Sequence, residues 1–293
     1  MSILRALIER LPKRVQIRIE KRAARGLVWL SAAKGALALR GRPVPRILID
    51  NCVLRHGLTH SNAWISTGTV LWGCEVPVET HHTARVPRNY EAGHQDIYEI
   101  EVPYFASLSR LAIDRRILLF TSRELLRERY RQPGYNRFRF GMNLWSKAPI
   151  EMLPDLSRSQ SVSCLLGPNQ LRDHWSKNEQ VRRLRATADS DFLKLTKSIP
   201  DAHILDLYHL WTAKYTDCSI FLTTDGRFRR FFENNLKRSI CENFCSVRIM
   251  APSELGRELG LAPIPHDLLT PLDSDWFYEL RSAQIIEKQQ ELR

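Results

Sequence analysis

Four acids in the 293-residue chain stand where an apolar run gives way to a turn or a helix. Asp50 closes Ile47-Leu48-Ile49, Glu128 lies six residues beyond Ser122, Asp206 begins the helical stretch DLYHLWTA, and Asp225 ends FLTTD. In an open parallel sheet, residues just past the carboxyl ends of the strands converge however far apart they are in sequence. Carboxylates gathered there repel, so without a counter-ion some keep their protons at neutral pH and titrate as a set. Mg2+ or Mn2+ removes that conflict by taking oxygen ligands. Such an ion polarises a phosphodiester, lowers the pKa of an attacking water and stabilises the leaving oxygen. Each acid also has a plainer role. Asp50 could cap a turn, Glu128 could pair with an arginine on its own helix, Asp206 could be a helix N-cap, and Asp225-Gly226 could be an ordinary turn. Asp201 competes with Asp206 as the opener of its helix, and Glu124 competes with Glu128.

The elements that would carry these acids alternate. Apolar runs at 47–49, 115–122, 219–223 and 246–250 read as buried strands. Helical patterns follow at 123–131, 201–214, 228–237 and 252–259, with a charged helical region at 169–198. Strands alternating with helices predict an α/β fold with a central parallel sheet flanked by helices. Residues 55–110, rich in His, Thr, Gly and Pro, read as an insertion with strands near 64–72 and 96–102. The expected organisation is a basic helical extension over 1–45, an α/β domain over 46–262 that includes the insertion, and a tail with a helix over 263–293.

Charge is concentrated at one end. The chain has 44 Lys or Arg against 32 Asp or Glu, a formal +12. Through Arg46 there are twelve basic residues and two acids, an excess of +10, which leaves +2 for all that follows. Ile3, Leu4, Leu7, Ile8 and Leu11 predict a short amphipathic helix ending before Pro12. Beyond it, Arg14, Arg18, Arg22 and Arg25 form a basic stripe beside Val15, Ile19 and Ala23. Phosphate backbones and anionic lipid surfaces are both fitting counterparts, and a solvated helix lying on the domain is the plain alternative. In the segment 134–145, Arg137, Phe138 and Arg139 with Tyr135, Phe140 and Trp145 combine cations and stacking faces suited to unpaired bases. Packing of those aromatics on the core explains the same pattern.

Several classes are excluded. No GxxxxGK[ST], GxGxxG after a strand or GxSxG is present, which disfavours nucleotide-driven motors, dinucleotide enzymes and common serine hydrolases. The six cysteines are dispersed without a CxxC pair and predict free thiols in a reducing compartment. His56 and His60 suit a metal only on a helix, which Gly57 opposes, and no zinc site is assigned. The apolar stretch at 26–39 is interrupted by Lys34 and falls short of the ~20 residues a bilayer requires. A secretory signal fits poorly, an organelle transit peptide stays open, and a cytoplasmic location is expected.

The chain resembles the PIN-domain nucleases in four blocks that occur in the family's order: ILIDNCVL (47–54), FTSRELLRER (120–129), DLYHLWTAKYTDCSIFLTTDGRF (206–228) and VRIMAPSEL (247–255). The third is the most specific. Its spacing to TTD favours Asp206 over Asp201, and the spacing from Ser122 favours Glu128 over Glu124. The resemblance implies a metal-dependent endoribonuclease, with Asp50, Glu128, Asp206 and Asp225 as both catalytic acids and ligands of Mg2+ or Mn2+. Thr224 and Asn51 are implied as supporting groups. The family usually has Asn two residues after its first Asp; here that place is Cys52 and the Asn is Asn51. RNA is the implied partner, drawn in by Arg14, Arg18, Arg22 and Arg25 and by Arg137, Phe138 and Arg139. A catalytically silent nucleic-acid-binding scaffold, and a toxin held by an antitoxin, are the alternatives. A homo-oligomer and a protein partner are open expectations.

Overall fold

The computed structural model describes residues 13–72, 76–87, 97–131, 143–156, 176–185, 190–197, 199–235, 246–264 and 268. β1 (Arg46–Ile49), β4 (Leu118–Thr121), β5 (Ile150–Met152), β6 (Ile220–Leu222) and β7 (Arg248–Met250) form one sheet in the order β5-β4-β1-β6-β7. Every pairing in it is parallel, with Leu48 beside Phe120 on one side and Phe221 on the other. A separate antiparallel ribbon joins β2 (His60–Trp72) to β3 (Val76–Pro87), with a bulge between Ser66 and Gly68.

Both faces of the sheet are covered, which is why its central strands read as unbroken apolar runs. Ile47 and Ile49 point to one face and Leu48 to the other, following the two-residue period of a strand. The first face packs against α1 (Lys13–Ala38), α2 (Asn51–His56), α3 (Phe105–Ile113) and α9 (Pro252–Glu258), through Val28, Val53, Leu108 and Leu255 among others. The second packs against α4 (Arg123–Arg131), α5 (Lys177–Arg185), α6 (Ser190–Thr196), α7 (Ile204–Tyr215) and α8 (Gly226–Asn235), through Leu125, Leu184, Phe192, Leu207 and Phe228.

α1 is a single helix that runs through the apolar stretch expected beyond the basic stripe. Gly35 lets the helix pack closely on its neighbours: a Cβ there would lie 2.6 Å from Leu261 Cδ2 and 3.0 Å from Leu111 Cδ1. Ser31 Oγ donates to Ala262 O at 3.2 Å and accepts from Ala262 N–H at 3.0 Å, clasping the 261–264 segment onto α1. The helix expected at 3–11 and most of the 263–293 tail lie outside the described residues.

One expectation is corrected and one strand is added. Residues 97–101 form a π-helical turn and 102–104 a 3-10 turn, where a strand over 96–102 was expected. Tyr98, Val102, Pro103 and Tyr104 are all buried, so the segment meets the core through consecutive residues as a helical turn does and an alternating strand does not. β5 was not anticipated; Ile-Glu-Met is a three-residue edge strand, too short to carry a pattern.

Candidate active site

The chain moves outward from β1 through β4 to β5, then returns to the other side of β1 with β6 and β7. At such a reversal a crevice opens outside the carboxyl ends of the strands, the usual seat of ligands in open α/β sheets. Asp50 follows β1 there and Thr223, Thr224 and Asp225 follow β6. The Asp50 N–H donates to Leu222 O at 3.0 Å, extending the strand pairing to the rim.

Asp50 occupies the N-cap position of α2, yet its side chain makes no capping bond. Its Oδ2 instead accepts from Thr223 Oγ1 at 2.7 Å and from Cys52 Sγ at 2.9 Å. Burial pushes the Asp50 carboxyl up; the bonds from Cys52 and Thr223 oppose this, and the charge of Glu128 adds to it. Burial and the neighbouring Asp50 push the Cys52 thiol well up, which keeps it protonated and able to donate. The Thr224 N–H donates to Cys52 Sγ at 3.2 Å, while Thr224 Oγ1 lies 2.9 Å from His56 Nδ1. Of the two threonine hydroxyls, it is Thr223's that touches the Asp50 carboxylate.

Glu128 is positioned by the start of α4. The Ser122 Oγ accepts the Leu125 N–H at 3.2 Å and its carbonyl accepts the Leu126 N–H at 2.9 Å, an N-cap arrangement that sets the helix phase. Glu128 Oε1 then meets His209 Nε2 at 2.9 Å. Asn51 Nδ2 donates to Leu125 O at 2.5 Å and to Glu128 Oε2 at 3.3 Å. Asn51 therefore bridges the helix after β1 to the helix after β4.

Asp206 and His209 lie one turn apart near the start of α7, the i, i+3 spacing that puts both on one face. Burial pushes the Asp206 carboxyl up to about 7; His209 opposes this, and the charges of Asp50, Glu128 and Asp225 add to it. Burial alone would lower His209, but Glu128, through charge and hydrogen bond, with Asp50 and Asp206, outweighs it and raises the imidazole. Asp225 is the most exposed of the four acids. Its Oδ1 accepts the N–H groups of Arg227 at 2.8 Å and Phe228 at 3.0 Å, capping α8. The Asp225 N–H donates to Thr223 Oγ1 at 3.0 Å, so Thr223 links two of the acids.

The two rival acids are engaged elsewhere. Asp201 is exposed and paired with Arg185. Glu124 is buried and pairs with Arg127, with Arg183 at 3.5 Å and with Gln180 Nε2 at 2.7 Å, tying α4 to α5.

The donors are carboxylate oxygens, which suit a hard divalent cation. Asn51 Oδ1 and His209 Nδ1 are buried without a hydrogen-bond partner, leaving unused polar capacity beside the acids. Among the described residues, however, no three His, Cys, Asp or Glu side chains are grouped closely enough to hold an ion as they stand. Separation is what mutual repulsion among carboxylates favours.

Arg18, Arg22 and Arg25 are exposed on α1. The Arg14 side chain, and all of Arg137, Phe138 and Arg139, lie outside the described residues. Trp145 is buried with its ring 5.3 Å from that of Phe105, so it packs in the core and offers no face to a base. His56 ends α2 and His60 opens β2, so the pair shares no helix. Among the described residues no helix is long and apolar enough to cross a membrane. The sequence matches no protein-family model, no curated protein and no solved structure.

Proposed function

We propose that the chain is a PIN-like ribonuclease whose Asp50, Glu128, Asp206 and Asp225 hold Mg2+ or Mn2+. The observation that supports this is the placement of four acids toward the switch point of a parallel sheet, where burial first, and then the charges of Asp50, Glu128 and Asp225, push the Asp206 carboxyl up to about 7. A cation there would relieve the repulsion, polarise the scissile phosphodiester and acidify the attacking water. The chain's own groups do the positioning. Thr223 and Cys52 hold Asp50, while His209 and Asn51 hold Glu128. Asp225 is fixed by the first amides of α8, which leaves its outer edge toward solvent and an incoming strand. Single-stranded or structured RNA is the substrate class that the four matching sequence blocks suggest.

The test is incubation of the chain with RNA and Mn2+ or Mg2+, alongside Asp50→Asn and Asp225→Asn. Both variants should lose cleavage; equal cleavage by all three defeats the assignment. A second reading, a catalytically silent scaffold, is favoured by the lack of a ready three-ligand group among the described residues and by the Cys52 thiol bonded to Asp50. Calorimetric Mn2+ titration separates the two. The nuclease binds the ion in a manner that Asp206→Asn abolishes, and the scaffold does not.

A further inference from the structure

α1 has two apolar faces, and only one is buried among the described residues. Ala24, Val28, Ser31 and Ala32 are buried on the side turned to the core. On the other side Leu27 is 44 %, Trp29 59 %, Leu30 57 % and Leu37 67 % exposed. At about 100° per residue, Leu30 and Leu37 lie roughly 20° apart, on the side of the helix away from Val28. The same line continues toward the amino terminus through the exposed Ala23 and Gly26. Arg18 and Arg22, also exposed, border it on the Trp29 side, and Lys34 sits within it.

This combination selects an occupant. Across the whole helix, seven Lys or Arg face a single acid, Glu20. A second copy of the chain docked on this face would bring two strongly basic helices together with one acid each to offset them. RNA would satisfy the arginines but gain nothing by covering Leu27, Leu30 and Leu37. A lipid surface with anionic headgroups offers phosphates to the arginines and acyl chains to the leucines, with Trp29 at the depth where indole rings settle. The face is too short and too charged to span a bilayer, so the fitting geometry is a helix lying in the surface plane. We infer that the outward face of α1, centred on Trp29, Leu30 and Leu37 and flanked by Arg18 and Arg22, docks the protein onto an anionic membrane surface. This inference stands independently of the acidic site.

The experiment is flotation of the full chain with vesicles of phosphatidylcholine containing phosphatidylglycerol, against vesicles of phosphatidylcholine alone. The chain should float with the anionic vesicles only. Leu30→Glu combined with Leu37→Glu should abolish flotation while melting as wild type, since both side chains are in solvent. Arg18→Gln combined with Arg22→Gln should lower partitioning by about 30-fold, the effect of removing two basic residues from an anionic surface. Asp206→Asn should float like wild type. Failure to float, equal flotation with neutral vesicles, or unimpaired flotation of the leucine variant overturns the inference. So does a dimer that the leucine variant dissociates, which would assign the face to a second copy. Loss of RNA binding by the arginine variant in a chain that ignores vesicles would assign the face to nucleic acid.

Discussion

At the scale of single residues, the site is a set of acids each restrained by a neutral or cationic neighbour. Among the four acids, Asp206 is shifted by burial first and then by its charged neighbours, and that shift couples stability to pH. Its carboxyl keeps a proton to about pH 7 in the folded chain but only to about pH 4 when unfolded. The native state therefore binds more protons between these values, and metal-free stability falls as pH rises through that window. Asp206→Asn removes the penalty. It should raise the metal-free melting temperature at pH 8 by about 2 °C and leave it unchanged near pH 4, measured by calorimetry. This corresponds to about 1 kcal/mol, well below what the whole shift implies, because the side chain is 35 % exposed and solvent screens it. Thr223 is the second sensitive position. Thr223→Val deprives Asp50 of its 2.7 Å donor and the Asp225 amide of its acceptor. It should cost about 2 kcal/mol in urea unfolding, the scale of a lost bond to a buried charged group.

The places of Asp50 and Asp225 just past β1 and β6 were legible in the sequence because apolar runs mark those strand ends. Their partners were not. Thr223 belongs to the TTD that follows β6, but only the pairing of Ile49 with Leu222 reveals that its hydroxyl adjoins Asp50. Cys52 looked like a departure from a motif, yet its thiol bonds the first acid. His209 lies in the third matching block, one turn after Asp206, but its partner Glu128 is 81 positions away and only the fold shows the pair.

At the scale of elements, packing decides what propensity leaves open. α1 contains Gly26 and Gly35, weak helix formers, and still runs unbroken for 26 residues because its inner face is buried. Gly35→Val should destabilise the fold by about 2 kcal/mol through overpacking against Leu111 and Leu261, read as a lower urea midpoint with unchanged slope. The sheet strands were legible for the opposite reason. Burial on both faces leaves an apolar signature that Ile47-Leu48-Ile49 and Ile220-Phe221-Leu222 carry plainly. The π-helical turn at 97–101 lacked any such mark, since five residues are too few to show a helical period.

At the scale of the whole molecule, one parallel sheet carries the acids and an independent ribbon is inserted beside it. Neither β2 nor β3 pairs with the five-stranded sheet. Replacing residues 60–87 with a short Gly-Ser linker should therefore preserve the α/β domain. A single cooperative thermal transition and retained helical circular dichroism would check this, and a molten profile would show that the ribbon props the core.

The clasp between Ser31 and Ala262 joins stretches more than two hundred positions apart and sits over the same apolar cluster as Val28 and Ala32. Tension applied between the two termini would shear that joint before reaching the parallel sheet. Stretched in an optical trap, the molecule would first surrender its long amino-terminal rod, and the acidic crevice would rupture in a later, separate event.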